Sequence, residues 1–145
     1  TWPGLELKQH RFSIKVSHDV DEPSRYEFRP WRKIPFSVAA DLLKYRDVRG
    51  LAGPWLRLTS RACLHPIDAF NTFDWLMTIS ENIGITSLFN FICARRGTAH
   101  DSDYDLEHPV IRDLIRRIHT RRHEIGLHPS YNSFLDPAQI KQEVG

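Results

Sequence analysis

Cysteine is scarce in this chain, and its placement excludes a disulfide scaffold. Cys63 and Cys93 stand far apart with no CxxC pair, the usage of a cytosolic protein with reduced thiols. Long hydrophobic runs are missing too. No apolar stretch approaches the roughly 20 residues that cross a bilayer, so no membrane span is expected. No secretory signal opens the chain, which begins at Thr1 rather than Met, compatible with a processed or trimmed N-terminus. Neither sign of charge dominates. A net charge of +2 demands neither nucleic acid nor an anionic membrane as partner. The P-loop, GxGxxG, GxSxG and helical HExxH patterns are all absent, so nucleotide-dependent, serine-hydrolase and zincin chemistries have no motif behind them.

What is present is one domain's worth of chain. At 145 residues residues 1–145 form a single unit long enough to bury a core. After a polar lead-in over Thr1 to His10, Phe12 to Ser17 alternates apolar and polar, the pattern of a strand with one face on a core. Glu22-Pro23-Ser24 stops it. An aromatic, basic connection follows to Pro35. Ser37 is then expected to cap a helix running to about Tyr45, with Val38, Leu42 and Tyr45 on one stripe.

Gly50, Gly53 and Pro54 mark a loop, and Trp55 to Cys63 is ambiguous. A second helix is expected from about His65-Pro66 to Asn82, with Gly84 at its C-terminal end. Ile85 to Ala94 reads as a strand buried on both faces. Arg95 to Glu107 is a polar loop with an acidic cluster, Asp101, Asp103 and Asp105. That cluster lacks the glycine and final glutamate of an EF-hand loop. Pro109 starts an amphipathic helix with Val110, Ile111, Leu114, Ile115 and Ile118 inside. Arg112, Arg116, Arg117, Arg121 and Arg122 are read as its solvated face, and His65, His100, His108 and His119 as solvated. Glu124 to His128 is a short third strand, and Asp136-Pro137 opens a last helix. The alternation predicts an α/β fold with parallel strands alternating with helices.

In such folds the site lies at the C-terminal ends of the strands. Two motifs fall there. One is Ser17-His18-Asp19-Val20-Asp21, where strand alternation puts Asp19 and Asp21 on one side and His18 and Val20 on the other. Two carboxylates so close call for a cation or a shared proton. The other is His123-Glu124-Ile125-Gly126-Leu127-His128, ending in an imidazole. Together they make a candidate metal-and-base site. The bland alternatives are a turn-capping acidic pair and a histidine satisfied by its own neighbours.

The first motif resembles the opening motif of the polysaccharide deacetylase family, the chitooligosaccharide deacetylase-like carbohydrate esterases. The second resembles the His-Glu-Ile-Gly-x-His that leads into that family's metal-binding motif. Thr86-Ser87-Leu88-Phe89-Asn90-Phe91 between them resembles the family's second strand. The resemblance runs from about Phe12 to the end of the chain. It implies part of a distorted (β/α) barrel, incomplete at the C-terminus. It also implies Asp19 as catalytic base, and Asp21 and His128 as ligands of a divalent metal, zinc first. The implied activity is removal of N-acetyl groups from a sugar of a surface polysaccharide, such as O-antigen or capsule, or from its precursor. The chain departs from the family at Asn132, where a second metal histidine is expected, and has no counterpart of its substrate-binding arginine or late catalytic histidine. A non-catalytic sugar-binding or scaffolding relative is the rival reading. An anion- or nucleic-acid-binding surface on the arginine-rich helix is a third, opposed by the near-neutral net charge.

Overall fold

The computed structural model describes residues 12–59, 62–93, 104–131 and 133–144. The lead-in over Thr1 to His10, His100, Asp101, Asp103 and Asn132 lie outside the described residues. Among the described residues three strands, β1 (Val16–Val20), β2 (Ser87–Ile92) and β3 (Glu124–His128), form one parallel sheet in the order β1-β2-β3. Five helices among the described residues accompany them: α1 (Ile34–Leu43), α2 (Gly53–Thr59), α3 (Phe73–Asn82), α4 (Pro109–Thr120) and α5 (Pro137–Val144). The mixed α/β class with parallel strands is therefore as expected. Among the described residues no helix is long and apolar enough to cross a membrane.

One face of the sheet is dry along β2 and the end of β1. Val20, Phe89 and Phe91 pack there with Met77 of α3 and with Val110, Ile111, Leu114 and Ile118 of α4, all buried. The i, i+1, i+4, i+8 spacing in α4 brings those four aliphatic side chains onto one stripe. At the sheet's C-terminal end the Tyr104 hydroxyl donates to the Val20 carbonyl and accepts from the Ile92 amide, both at 2.7 Å. This clasp satisfies two backbone groups that the ladder leaves over and ties β1 to β2.

The other face is open. Ser17, Asp19 and Glu124 are exposed, and Leu88, Asn90, Gly126 and His128 are half-buried. Strand β2 is thus buried on one face along Leu88–Asn90, not on both, because no helix among the described residues covers that side. Its central position supplies hydrogen-bonded neighbours on both edges, which sustains an apolar strand without burying both faces.

Several boundaries differ from the expected ones. Strand β1 begins at Val16, where pairing with Ser87 begins. Phe12 and Ile14 are 89% and 57% exposed, since alternation without a partner strand does not build a ladder. Helix α1 starts three residues before Ser37, from a 3-10 turn at Trp31–Lys33, with Pro35 in its first turn. Ser37 sits inside it and bonds back to the Lys33 carbonyl at 3.2 Å. Tyr45 lies beyond its end and is exposed.

Helix α3 begins at Phe73, not near His65. The preceding residues are held in turns about Asp68, whose side chain accepts from the Phe70 amide at 2.9 Å. The ambiguous stretch resolves into α2 up to Thr59. Gly84 terminates α3 at φ 70°, and Asp136 caps α5 through the Ala138 amide at 2.9 Å, both as read.

The α4 surface needs two corrections. Arg117 pairs with Asp74 at 2.8 Å, and Arg121 with Asp74 at 3.1 Å and Glu81 at 2.6 Å, so these two lie against α3 instead of facing free solvent. His108 is not solvated either. Its Nδ1 accepts from the Val110 amide at 3.4 Å as the cap of α4, and its ring meets Phe28 edge-on at 5.1 Å.

Candidate metal centre

Sheet register assembles the site. Asp19 pairs with Asn90, and Asn90 with Gly126, so one row across the open face reads Asp, Asn, Gly. Asn90 Nδ2 donates to Asp19 Oδ1 at 2.9 Å. A Cβ at position 126 would overlap the Asn90 side-chain oxygen and approach Leu88 Cδ1 at 3.0 Å. Glycine here makes room for the amide that steers Asp19. Two residues on from Asp19, just past the end of β1, stands Asp21. Strand β3 ends at His128, whose register partner on β2 is Ile92.

The three predicted site residues come together. His128 Nε2 lies 3.9 Å from Asp19 Oδ2 and 4.0 Å from Asp21 Oδ1. All three keep access to solvent, with side chains 34%, 55% and 65% exposed in that order. His128 Nδ1 sits 2.9 Å from the Pro129 carbonyl. A carbonyl only accepts, so Nδ1 carries the proton. In the neutral ring Nε2 then presents its lone pair to two carboxylates. Three electron-rich atoms facing one another make a favourable place for a cation.

Zinc takes nitrogen and oxygen ligands at about 2.0–2.2 Å, nearly always tetrahedrally, so two donors on one ion stand about 3.3–3.6 Å apart. The separations above are longer by about 0.5 Å, a gap that exposed side chains can close. A ring held by a backbone carbonyl through its other nitrogen is also the usual support of a metal histidine. Asp21 and His128 therefore fit a divalent cation in kind, and a small side-chain adjustment would bring both within reach of one ion. The set is partial: among the described residues no three His, Cys, Asp or Glu side chains are gathered tightly enough to hold a metal by themselves. Asn132, the position to compare with a further ligand, is outside those residues.

The other histidines of the two motifs serve the fold. His18 points to the dry face against the Phe89 ring, centroids 4.9 Å apart. Burial lowers its pKa, nearby His123 lowers it further, and Asp19 opposes them. His123 is buried, and its Nδ1 accepts the Ser87 amide at 3.1 Å. That bond fastens the start of β2 to the start of β3.

The sequence reading missed Asn90. Its signal was one amide in the otherwise apolar run Leu88-Phe89-Asn90-Phe91-Ile92, on the same strand face as Asp19 once the register is known. No family model, no curated protein and no solved structure matches this chain.

Proposed function

We propose that the chain is a metal-dependent carbohydrate deacetylase of the polysaccharide deacetylase type, built as part of a distorted (β/α) barrel. It would hydrolyse N-acetyl groups of a sugar in a surface polysaccharide or its precursor, in the cytoplasm. The observation that carries this reading is the convergence of His128 Nε2 on Asp19 and Asp21 with its other nitrogen held at Pro129.

Asp21 and His128 would hold the cation. When bound, a divalent ion polarises the amide carbonyl and lowers the pKa of water. Asp19, steered by Asn90, accepts a proton from the attacking water as its oxygen bonds to the acetyl carbon. The C–N bond then breaks, the nitrogen takes up a proton, and amine and acetate leave. The open sheet face gives a polymer access from solvent.

The partial donor set among the described residues favours one rival, a sugar-binding or scaffolding relative without metal. Elemental analysis of the purified chain separates the two, with Asp21→Ala and His128→Ala alongside and circular dichroism as a check on folding. Near one equivalent of zinc, cobalt or nickel, lost in both folded variants, supports the deacetylase. No metal after zinc is supplied sinks it in favour of the rival.

A further inference from the structure

A cavity of about 370 Å³ lies away from the sheet row, between the segment after β1, helix α1 and the loop before α3. That volume falls in the range of small-molecule sites. The wall nearest β1 is built rigidly. Ser24 Oγ donates to Asp68 at 2.5 Å, the Arg25 amide donates to Asp68 at 3.1 Å, and the Glu27 amide returns to Ser24 Oγ at 3.0 Å. Two glycines let the opposite wall close. A Cβ at Gly50 would stand 2.6 Å from the Asp41 Cβ, and one at Gly53 would stand 2.5 Å from the Tyr26 ring. The cavity is therefore preformed by close backbone approach.

Its lining is mostly apolar, with Phe70 half-buried and Tyr45 and Ile67 at the exposed rim. The charges in it are already spent on one another. Arg25 Nη2 meets Asp41 at 2.7 Å, Nε meets the same carboxylate at 3.4 Å, and the Tyr26 hydroxyl donates to it as well. Arg49 pairs with Asp47 at 2.8 Å. No net charge remains to hold an ionic ligand. Arg25 Nη1, however, has no hydrogen-bond partner among the described residues. It is held in place by Asp41 and by the Phe70 ring 5.3 Å from its guanidinium carbon. It offers fixed N–H donors beside aromatic faces.

We infer that this cavity is a binding subsite for an uncharged ring that has an apolar face and oxygen acceptors, a neutral pyranose. The C–H face of such a ring lies on Phe70 or Tyr45, and its hydroxyl or acetyl oxygens accept from Arg25. Position suits this. Four residues from Asp21 to Arg25 span at most about 14 Å when fully extended, so the subsite is a short walk along a chain substrate from the candidate metal centre. That the ring is a sugar rests on the deacetylase reading; that the cavity takes an uncharged ring does not.

The test is heteronuclear NMR titration of the whole chain, with and without excess chelator, with N-acetylglucosamine, glucosamine and glucuronate. Shifts at residues 25, 49–50 and 67–70, with the neutral sugar bound at least about tenfold tighter than both charged ones, are expected. Ala69→Trp, which fills the mouth from an exposed position, and Tyr45→Ala, at an equally exposed rim, should each weaken binding about tenfold or more. Asp21→Ala should leave it unchanged. Binding that vanishes with chelator or with Asp21→Ala, and is indifferent to positions 45 and 69, overturns the subsite while leaving the deacetylase reading intact. No binding of the neutral sugar, or preference for a charged one, overturns it too. Binding that persists in a chain shown to take no metal upholds the subsite and removes the deacetylase.

Discussion

Asn90 Nδ2 is bonded to Asp19 Oδ1 at 2.9 Å, which leaves Oδ2 as the Asp19 oxygen nearest His128 Nε2, at 3.9 Å. One oxygen is occupied by a cross-strand amide and the other is free for chemistry. In the proposed reaction Asn90 is a positioning residue, acting only through Asp19. Asn90→Leu keeps the branching and heavy-atom count and removes the donor. Because the lost bond is to the exposed Asp19 but leucine is bulkier beside Gly126, stability should fall by no more than about 1–3 kcal/mol, the range of overpacking. Acetate release from N-acetylglucosamine oligomers should fall about 10- to 100-fold in kcat with KM held. A change in KM alone would mean that Asn90 contacts substrate and does not orient the base.

Gly126 and Asn90 form a pair that can be tested without any substrate. An alanine at 126 drives its Cβ into the Asn90 side-chain oxygen. Gly126→Ala should cost about 1–3 kcal/mol in urea unfolding, the usual penalty of overpacking. Asn90→Ala/Gly126→Ala should recover much of that cost, giving a coupling of about 0.5–2 kcal/mol. Additive single effects would mean the two side chains do not compete for the same space.

Register explains which parts of this site were legible in the sequence. Asp19, Asp21 and His128 were placed by local rules: strand alternation, a proline stop, and the strand-end position of sites in parallel sheets. Asn90 and Gly126 matter only because they are laterally opposite Asp19, and a parallel register is not written in either strand alone. The Arg25–Asp41–Tyr26 cluster was hidden for the same reason, since Asp41 sits on what reads as an ordinary helix. The β1 boundary failed in the opposite direction. Phe12 to Lys15 alternates well yet has no strand beside it among the described residues, so a local signal exceeded what pairing supports. His108 was read as solvated because a cap by imidazole nitrogen is rarer than one by Ser, Thr, Asp or Asn.

His108 and His18 predict acid sensitivity. Burial lowers the pKa of both, with Asp105 opposing for His108. A histidine whose folded pKa lies below its unfolded value favours the native state while neutral. Its contribution is present above the ordinary histidine pKa near 6.5 and is lost as pH falls through that value towards the lowered one. For His108 the loss has a direct structural cause, because a proton on Nδ1 removes the acceptor that caps the Val110 amide. Melting temperature should therefore fall between pH 7.5 and 5. In His108→Asn, which caps without titrating, and in His18→Gln the slope should be shallower than in wild type. Equal slopes in all three proteins would place the acid sensitivity elsewhere.

Asp41 is the group whose loss the fold should tolerate least. It is buried at 8% exposure on α1, and its carboxylate receives Arg25 through two nitrogens and the Tyr26 hydroxyl. Burial and this carboxylate together raise the Tyr26 pKa above the usual tyrosine range. Burial alone would pull the Arg25 guanidinium down, but the Asp41 bond and charge, with Tyr26 and Glu22, together raise it above its ordinary value. Asp41→Ala leaves a guanidinium 14% exposed without its counter-charge and a buried hydroxyl without its acceptor. Unfolding in guanidinium chloride should show a loss of about 3–5 kcal/mol, the usual cost of stranding one half of a buried pair. Removing the whole cluster with Arg25→Met, Tyr26→Phe and Asp41→Leu should cost far less, because no uncompensated charge is left behind. The same triple variant removes the N–H donors of the proposed ring subsite, so it should stay folded while losing affinity for the neutral sugar. If the triple variant is as unstable as Asp41→Ala, the ion pair contributes to stability beyond its own desolvation, and the cavity wall depends on it for shape.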